Sequence, residues 1–112
     1  MDTVFGITEE HVGGVPVVIV RGEIDLATAP ELRLHLRDVA SAGHASAVVD
    51  LTSVTFLDST ALGVLVGAQR RFREAGGQMG LVMNSPRLLK IFEVTGLTAV
   101  FEIAPTLEAL HG

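Results

Sequence analysis

Short apolar runs separated by glycine, proline and polar residues dominate this chain. Runs of about four to eight apolar residues are typical of buried strands joined by turns. Gly13 and Gly14 predict a turn between the first two runs, which makes them a hairpin. Pro16 cannot donate a backbone hydrogen bond, so it must lie at the beginning of its strand. The predicted strands are residues 4–10, 15–21, 47–51, 79–83 and 100–103.

The segments between these strands show helical periodicity. Thr28 and Glu31 have the spacing of a capping box and predict the start of a helix, which Gly43 ends. A second helix follows Asp58. Its residues are apolar on nearly all sides up to Gln69 and polar beyond, which predicts a buried N-terminal half and a solvent-exposed C-terminal half. Further helices are predicted from Ser85-Pro86 to Gly96 and, as a short closing helix, over residues 105–110.

This order of elements predicts an α/β fold. Strands and helices alternate after the hairpin, and such alternation favours parallel strands joined by crossover helices. We expect a mixed, mostly parallel sheet of about five strands, with an antiparallel hairpin strand at one edge and about four helices packed on it. The 112 residues are enough for one core and too few for two, so residues 1–112 are expected to form one domain.

Composition excludes several classes of function. The chain is 48% hydrophobic and 19% charged, which is typical of a folded globular protein. It has no cysteine, which excludes disulfides, thiolate metal sites and cysteine nucleophiles. The net charge of −5 argues against nucleic-acid binding, because that binding depends on clustered cations. One basic cluster, Arg70, Arg71 and Arg73, is expected to be the solvated end of a helix, with contact to a partner as the alternative.

The N-terminal residues and the apolar runs bear on localisation. Residues 1–6 lack the basic and apolar regions of a signal peptide. The longest apolar runs, such as residues 15–20, are too short to cross a membrane. We therefore expect a cytoplasmic protein that does not contact a membrane, and no residue pattern predicts a metal or a cofactor.

Asp58, Ser59 and Thr60 place three small polar side chains at the start of the second helix. The simplest interpretation is that Asp58 or Ser59 caps the helix. The same position also suits a phosphoserine, because the helix dipole and the free N–H groups of the first turn favour an anion. A phosphate there would add about −1.5 to −2 charge beside Asp58 and repel a partner packed against it.

Two further features point to the same region. Gly63 and Gly67 lie in the helix interior, where each costs about 1 kcal/mol relative to Ala, so their backbone is expected to lie close to the sheet or to a partner. Gly22-Glu23-Ile24-Asp25 ends the second strand and could simply be a solvated turn. In a parallel sheet, however, Asp25 and Asp58 emerge at the same edge, where ligands and partners of α/β proteins bind.

Four separated segments together resemble the bacterial anti-sigma factor antagonists, the single-domain STAS family. The resemblance covers nearly the whole chain. It implies a STAS-like fold. The segments are Gly22-Glu23-Ile24-Asp25, Ala29-Pro30-Glu31-Leu32, Asp58-Ser59-Thr60-Ala61-Leu62-Gly63 and the Phe92 to Leu97 motif that contains Thr95-Gly96.

The resemblance also implies a mechanism. In the family, the serine at the position of Ser59 is phosphorylated by a partner that is both an anti-sigma factor and an ATP-dependent serine kinase. The unphosphorylated form binds that kinase and releases the sigma factor, and a serine phosphatase resets the cycle. Ala61 stands where the family often has Gly and is expected to tighten the helix start. The residues expected to bind the partner are Asp25, Thr28, Asp58, Ser59, Thr60, Leu62 and Gly63.

Three other functions are alternatives to this mechanism. A serine hydrolase needs a base near Ser59, but His11, His35, His44 and His111 all lie elsewhere in the sequence and also lack the spacing of a metal site. A phospho-aspartate receiver needs a lysine near the phosphoryl group, and the one lysine, Lys90, falls within a predicted helix. The strongest alternative is a STAS interaction module without phosphoryl cycling.

Overall fold

The computed structural model describes residues 4–110. They form a five-stranded sheet in the order β1-β2-β3-β4-β5. β1 pairs antiparallel with β2, and the other strands pair parallel. The strands are β1 Gly6–Val12, β2 Val15–Ile24, β3 Ala47–Leu57, β4 Met79–Val82 and β5 Ile103–Ala104. The helices are α1 Ala29–Ser41, α2 Ser59–Glu74 and α3 Pro86–Val94, with 3₁₀ turns at Leu97–Ala99 and Leu107–Ala109.

The α/β class, the mixed sheet and the antiparallel edge strand that the sequence predicts are confirmed. Alternate residues of the central strands face opposite sides of the sheet. Val18 and Val20 face the main core, which also holds the buried faces of α1, α2 and α3. Val17 faces the other side, where Leu107 and Leu110 of the C-terminal segment pack over it.

The described chain holds three α-helices instead of about four, because residues 105–110 form a 3₁₀ turn only. Thr106 caps this turn by accepting a hydrogen bond from the Ala109 amide at 3.3 Å. Leu107 and Leu110 are then directed onto the apolar patch of the sheet. Gly80 lies directly beneath Leu110, so the absence of a side chain on β4 makes room for this packing.

The prediction that α2 is solvent-exposed from Gln69 onward holds for Arg70, Arg71, Arg73 and Glu74, but it is wrong for Gln69 and Phe72. Gln69 is 2% exposed and Phe72 is fully buried, so α2 keeps a buried face along its length. The Gln69 side chain reaches β4, where its amide donates to the Met79 carbonyl at 3.0 Å and accepts from the Met79 amide at 2.7 Å. A polar residue in this position is buried because both ends of its amide find backbone partners.

β3 continues well past residue 51, where the sequence pattern predicted its end. Two register shifts place extra residues on β3 opposite β2, at Ile19/Arg21 and at Gly22/Glu23. Such bulges break the alternation of buried and exposed positions. Leu51, Val54 and Leu57 are buried at a spacing of three, with polar or exposed residues between them.

The last strand is also displaced. The sequence predicted residues 100–103, and the structure has only Ile103–Ala104. Val100 and Phe101 make other contacts instead: the Phe101 ring packs edge-on against Phe92 with centroids 6.0 Å apart. The Val100 carbonyl accepts hydrogen bonds from Gln69 and Arg73.

Candidate functional site

The candidate site lies at the C-terminal ends of β2 and β3, which project beyond the rest of the sheet. β3 pairs with β4 only as far as Asp50, whereas it pairs with β2 as far as Leu57. The Asp58 amide then donates to the Ile24 carbonyl at 3.2 Å and holds the two strand ends together. Asp25 and Asp58 therefore follow neighbouring strand ends, as predicted from the parallel order.

Asp25 shapes the loop between β2 and α1. Its carboxylate accepts from the Ala27 amide at 3.0 Å and from the Thr28 amide at 3.1 Å. The Thr28 hydroxyl accepts from the Asp25 amide at 2.9 Å and donates to the Glu23 carbonyl at 2.8 Å. These bonds make a rigid Asx-type turn before α1.

The capping box predicted at Thr28 and Glu31 does not form. Thr28 precedes α1, but its side chain makes no capping bond to the helix. Its backbone already has a helical conformation, with φ −100° and ψ −23°, and its hydroxyl is directed back to the loop. Glu31 is exposed. Thr28 thus positions the Asp25 loop from a half-buried place and presents little surface of its own.

Asp58 is the N-cap of α2. Its carboxylate accepts from the Ala61 amide at 3.0 Å, and its backbone is extended, as an N-cap requires. Ala61 itself is fully buried in the core. The capping role proposed for Asp58 is therefore observed, and this leaves Ser59 free of that task.

Ser59 is the first residue of α2, and its side chain is exposed. Within residues 4–110 its hydroxyl makes no hydrogen bond, and the Ser59 and Thr60 amides also lack acceptors. Unpaired amides at a helix N-terminus form an electropositive end that favours an anion. The first turn of α2 is therefore a favourable place for a negative charge.

Thr60 and Leu62 are only half-buried, and Leu62 packs partly against the core. Gly63 and Gly67 are exposed, and a Cβ built on either would meet nothing within 4 Å. The sheet therefore does not require these glycines, which removes one of the two reasons considered for them. Contact with a second protein is the other reason.

Leu26 was not singled out from the sequence. It follows Asp25 directly and is 74% exposed. A large apolar side chain in a strand-to-helix turn bounded by Asp25 and Thr28 is the signal that could have found it. Single exposed leucines are common, but this one lies in the loop that Asp25 and Thr28 hold rigid.

The described histidines, which a serine hydrolase or a metal site would need, make their contacts elsewhere. Glu9 of β1 joins His11 at 2.8 Å and His35 of α1 at 2.7 Å, and none of the described histidines contacts Ser59. His111 lies outside the described residues. Across residues 4–110 no group of three His, Cys, Asp or Glu side chains could hold a metal ion. No helix in that part of the chain is long and apolar enough to cross a membrane.

Comparison with known proteins identifies the family of this fold. A model of the STAS domain matches residues 7–110. The anti-sigma-B factor antagonist of Listeria monocytogenes is 40% identical over 86 residues, which cover 77% of this chain and 75% of that protein. The anti-sigma-B factor antagonist of Bacillus subtilis is 39% identical over 87 residues, covering 78% and 79% of the two chains.

A solved structure gives the same result. The crystal structure of an anti-sigma factor antagonist from Mycobacterium paratuberculosis superposes with a TM-score of 0.88 at 32% identity, covering 96% of this chain and 93% of the other. The chain therefore belongs to the STAS domain family, in the group of the bacterial anti-sigma factor antagonists.

Proposed function

We propose that this chain is an anti-sigma factor antagonist that is switched by phosphorylation of Ser59. The unphosphorylated form binds an anti-sigma factor that is also an ATP-dependent serine kinase, and the sigma factor is released. Phosphorylation of Ser59 ends this binding, and a serine phosphatase restores it. The chain acts in the cytoplasm, by binding and without catalytic turnover of its own.

One observation carries the proposal: the Ser59 hydroxyl is exposed and unbonded on the first turn of α2, beside the capping Asp58. A kinase can reach it without unfolding the helix. Relatives at 40% and 39% identity bear the name of anti-sigma-B factor antagonists, which supports the type of partner.

The proposed switch works through charge. The docking face includes Asp25, Asp58 and the exposed Leu26, with Gly63 further along α2. A dianionic phosphate on Ser59 would be tolerated by the helix end but would place a strong charge in the dry interface. Phosphorylation would therefore weaken the binding free energy of the complex, and the domain would stay folded.

Substitutions of Ser59 test this proposal. Ser59→Ala should bind the anti-sigma factor as wild type does, and it should accept no phosphate. Ser59→Glu should bind at least about tenfold more weakly, which corresponds to about 1.4 kcal/mol. Isothermal titration calorimetry gives the affinities, and mass spectrometry after incubation with kinase and ATP locates the phosphate.

Ser41→Glu is the matched control, because Ser41 is an exposed serine at the far end of α1. It adds the same charge and should leave the affinity unchanged. Equal affinities for wild type and Ser59→Glu, together with no phosphate on Ser59, would reject the switch. Binding that persists under those conditions would support a STAS interaction module without phosphoryl cycling.

A further inference from the structure

A groove of about 140 Å³ lies between α1 and α2. It is lined by the exposed Gly63 and Gly67 of α2, together with the buried side chains Leu36, Val64 and Ala68. Arg33 of α1 and Arg71 of α2 also line it. The groove thus combines accessible backbone with two guanidinium groups, one from each helix.

The two glycines are unfavourable for the isolated helix. Each costs about 1 kcal/mol relative to Ala in a helix interior. Neither has a positive φ, and a Cβ at either position would contact nothing in the described chain. Packing within the domain therefore does not account for them. Their absent side chains leave the α2 backbone open to another chain.

The two arginines are unpaired. Arg33 and Arg71 are both exposed and make no hydrogen bond or ion pair within residues 4–110. Arg73 differs, because it donates to the Val100 carbonyl at 2.8 Å, and Arg70 lines a different hollow with it. The basic cluster of the sequence is therefore divided, and only Arg71 faces α1.

Free guanidinium groups on an acidic protein indicate the charge of the occupant. The chain has a net charge of −5, which repels acidic partners in general. The pair of arginines forms a local positive patch that attracts them instead. Arginine binds carboxylates through two parallel hydrogen bonds, which fixes their orientation as well as their charge. An acidic segment complements this groove.

The groove lies on the same stripe of α2 as Ser59. Ser59, Gly63, Gly67 and Arg71 are spaced by four residues and lie along one stripe of α2. The stripe is about 18 Å long at 1.5 Å per residue. A protein that docks at Ser59 can therefore extend along the stripe into the groove.

We propose that the α1/α2 groove binds an acidic segment of the anti-sigma factor, with carboxylates paired to Arg33 and Arg71. This inference rests on the proposed function, because it takes the partner at Ser59 as its source. It adds a second contact region, which contributes affinity and selects the partner, whereas Ser59 supplies the switch.

Binding of a model peptide tests the groove directly. The probe is a 15-residue peptide of alternating Glu and Ala blocks, and its control has Lys in place of Glu. In ¹⁵N-labelled protein, the Glu peptide should shift the amide resonances of Gly63 and Gly67, and the Lys peptide should not. The shifts should weaken as salt is raised from about 0.01 to 0.15 M, because exposed charges become screened.

Charge reversal supplies the matched variants. Arg33→Glu with Arg71→Glu should abolish the shifts, and Arg70→Glu with Arg87→Glu, the same charge change at two other exposed arginines, should keep them. Shifts that are absent, or that centre on Arg70 and Arg73, would overturn the proposal. Resonances of Gly63 and Gly67 that move on dilution of the protein alone would assign the groove to a second copy of the chain.

The anti-sigma factor that phosphorylates Ser59 gives the second test. The Arg33→Glu, Arg71→Glu variant should bind it at least tenfold more weakly than wild type, and the Arg70→Glu, Arg87→Glu variant within about threefold. If Ser59→Glu weakens binding but the groove variant does not, the groove inference fails and the proposed function stands. If only the groove variant weakens binding, the switch at Ser59 fails instead.

Discussion

At the residue scale, Gln69 shows how a single side chain can join three elements. Its amide bonds to both backbone groups of Met79 on β4 and to the Val100 carbonyl, at 2.7 to 3.0 Å. All of its hydrogen-bonding groups are used while the side chain is buried. Such a residue stabilises one arrangement of α2 on the sheet, because any other leaves polar groups without partners.

Gln69→Ala should therefore lower the free energy of unfolding by about 2 to 3 kcal/mol, since it leaves the buried Met79 amide and carbonyl without partners. Urea denaturation followed by circular dichroism measures the change. Gln78→Ala is the control: the Gln78 side chain makes no hydrogen bond in the described part of the chain, so the loss should be below about 0.5 kcal/mol. Equal losses in both variants would contradict this role for Gln69.

The same scale marks a limit of sequence reasoning. The Asp58 cap could be predicted, because an Asp before an apolar helix has one common use. Thr28 does lie at the N-cap position of α1, as predicted, but its hydroxyl does not bond to the helix. Asp25 offers its carboxylate to the Thr28 amide, and Thr28 turns its hydroxyl to the loop instead. Competition between two nearby acceptors depends on backbone angles that the sequence alone does not give.

At the element scale, α2 serves both the core and the proposed docking face. Its buried stripe carries Ala61, Val64, Leu65, Ala68 and Phe72, and its outer stripe carries the glycines. This division explains why the helix appears apolar on nearly all sides in the sequence. Glycine counts as neutral in such a pattern, although Gly63 and Gly67 are exposed here.

Gly63→Ala or Gly67→Ala should raise the free energy of unfolding by about 0.4 to 1 kcal/mol, because Ala is the better helix former and no atom opposes the new methyl. Gly77→Ala should have the opposite effect, since a Cβ there would collide with the Ala45 carbonyl oxygen of the neighbouring loop. Thermal unfolding of the three variants measures these changes. A destabilised Gly67→Ala variant would show that this glycine has a role within the domain.

β3 shows why strand ends were harder to predict than helix starts. The first five residues follow a buried-strand pattern and were predicted correctly. Beyond Leu51 the buried positions recur every three residues, because two bulges add residues opposite β2. Bulges arise from pairing with another strand, so a pattern read along one segment does not reveal them. The projection that carries the site was therefore missed, although its residues were identified.

At the scale of the whole molecule, Glu9 links the edge strand to the helical layer. Its carboxylate bonds to His11 on β1 and to His35 on α1. These hydrogen bonds, first that with His11 and then that with His35, hold the pKa of Glu9 below its usual range. Asp38 and His44 line the same hollow.

A carboxylate with a lowered pKa stabilises the fold above its unfolded pKa of about 4.3, and this contribution is lost as pH falls through the lower, folded value. Wild type should therefore be more stable than Glu9→Gln at pH 6, and the difference should vanish toward pH 3. Chemical denaturation at several pH values measures it. Glu10→Gln, which alters an exposed neighbour without such contacts, should show no comparable pH dependence. A difference for Glu9→Gln that stays constant with pH would contradict this linkage.

Leu26 and the exposed groove residues Arg33, Gly63, Gly67 and Arg71 share one property: none of them belongs to the buried core. Substitutions at these exposed positions should leave the domain folded, whereas substitutions of Gln69 and of the buried face of α2 should destabilise it. Gene duplication could thus give several such proteins in one cell, each recognising its own regulator through different outer residues. Insulation between parallel signalling pathways would then require few substitutions, because the exposed residues of the proposed recognition surface lie outside the folding core.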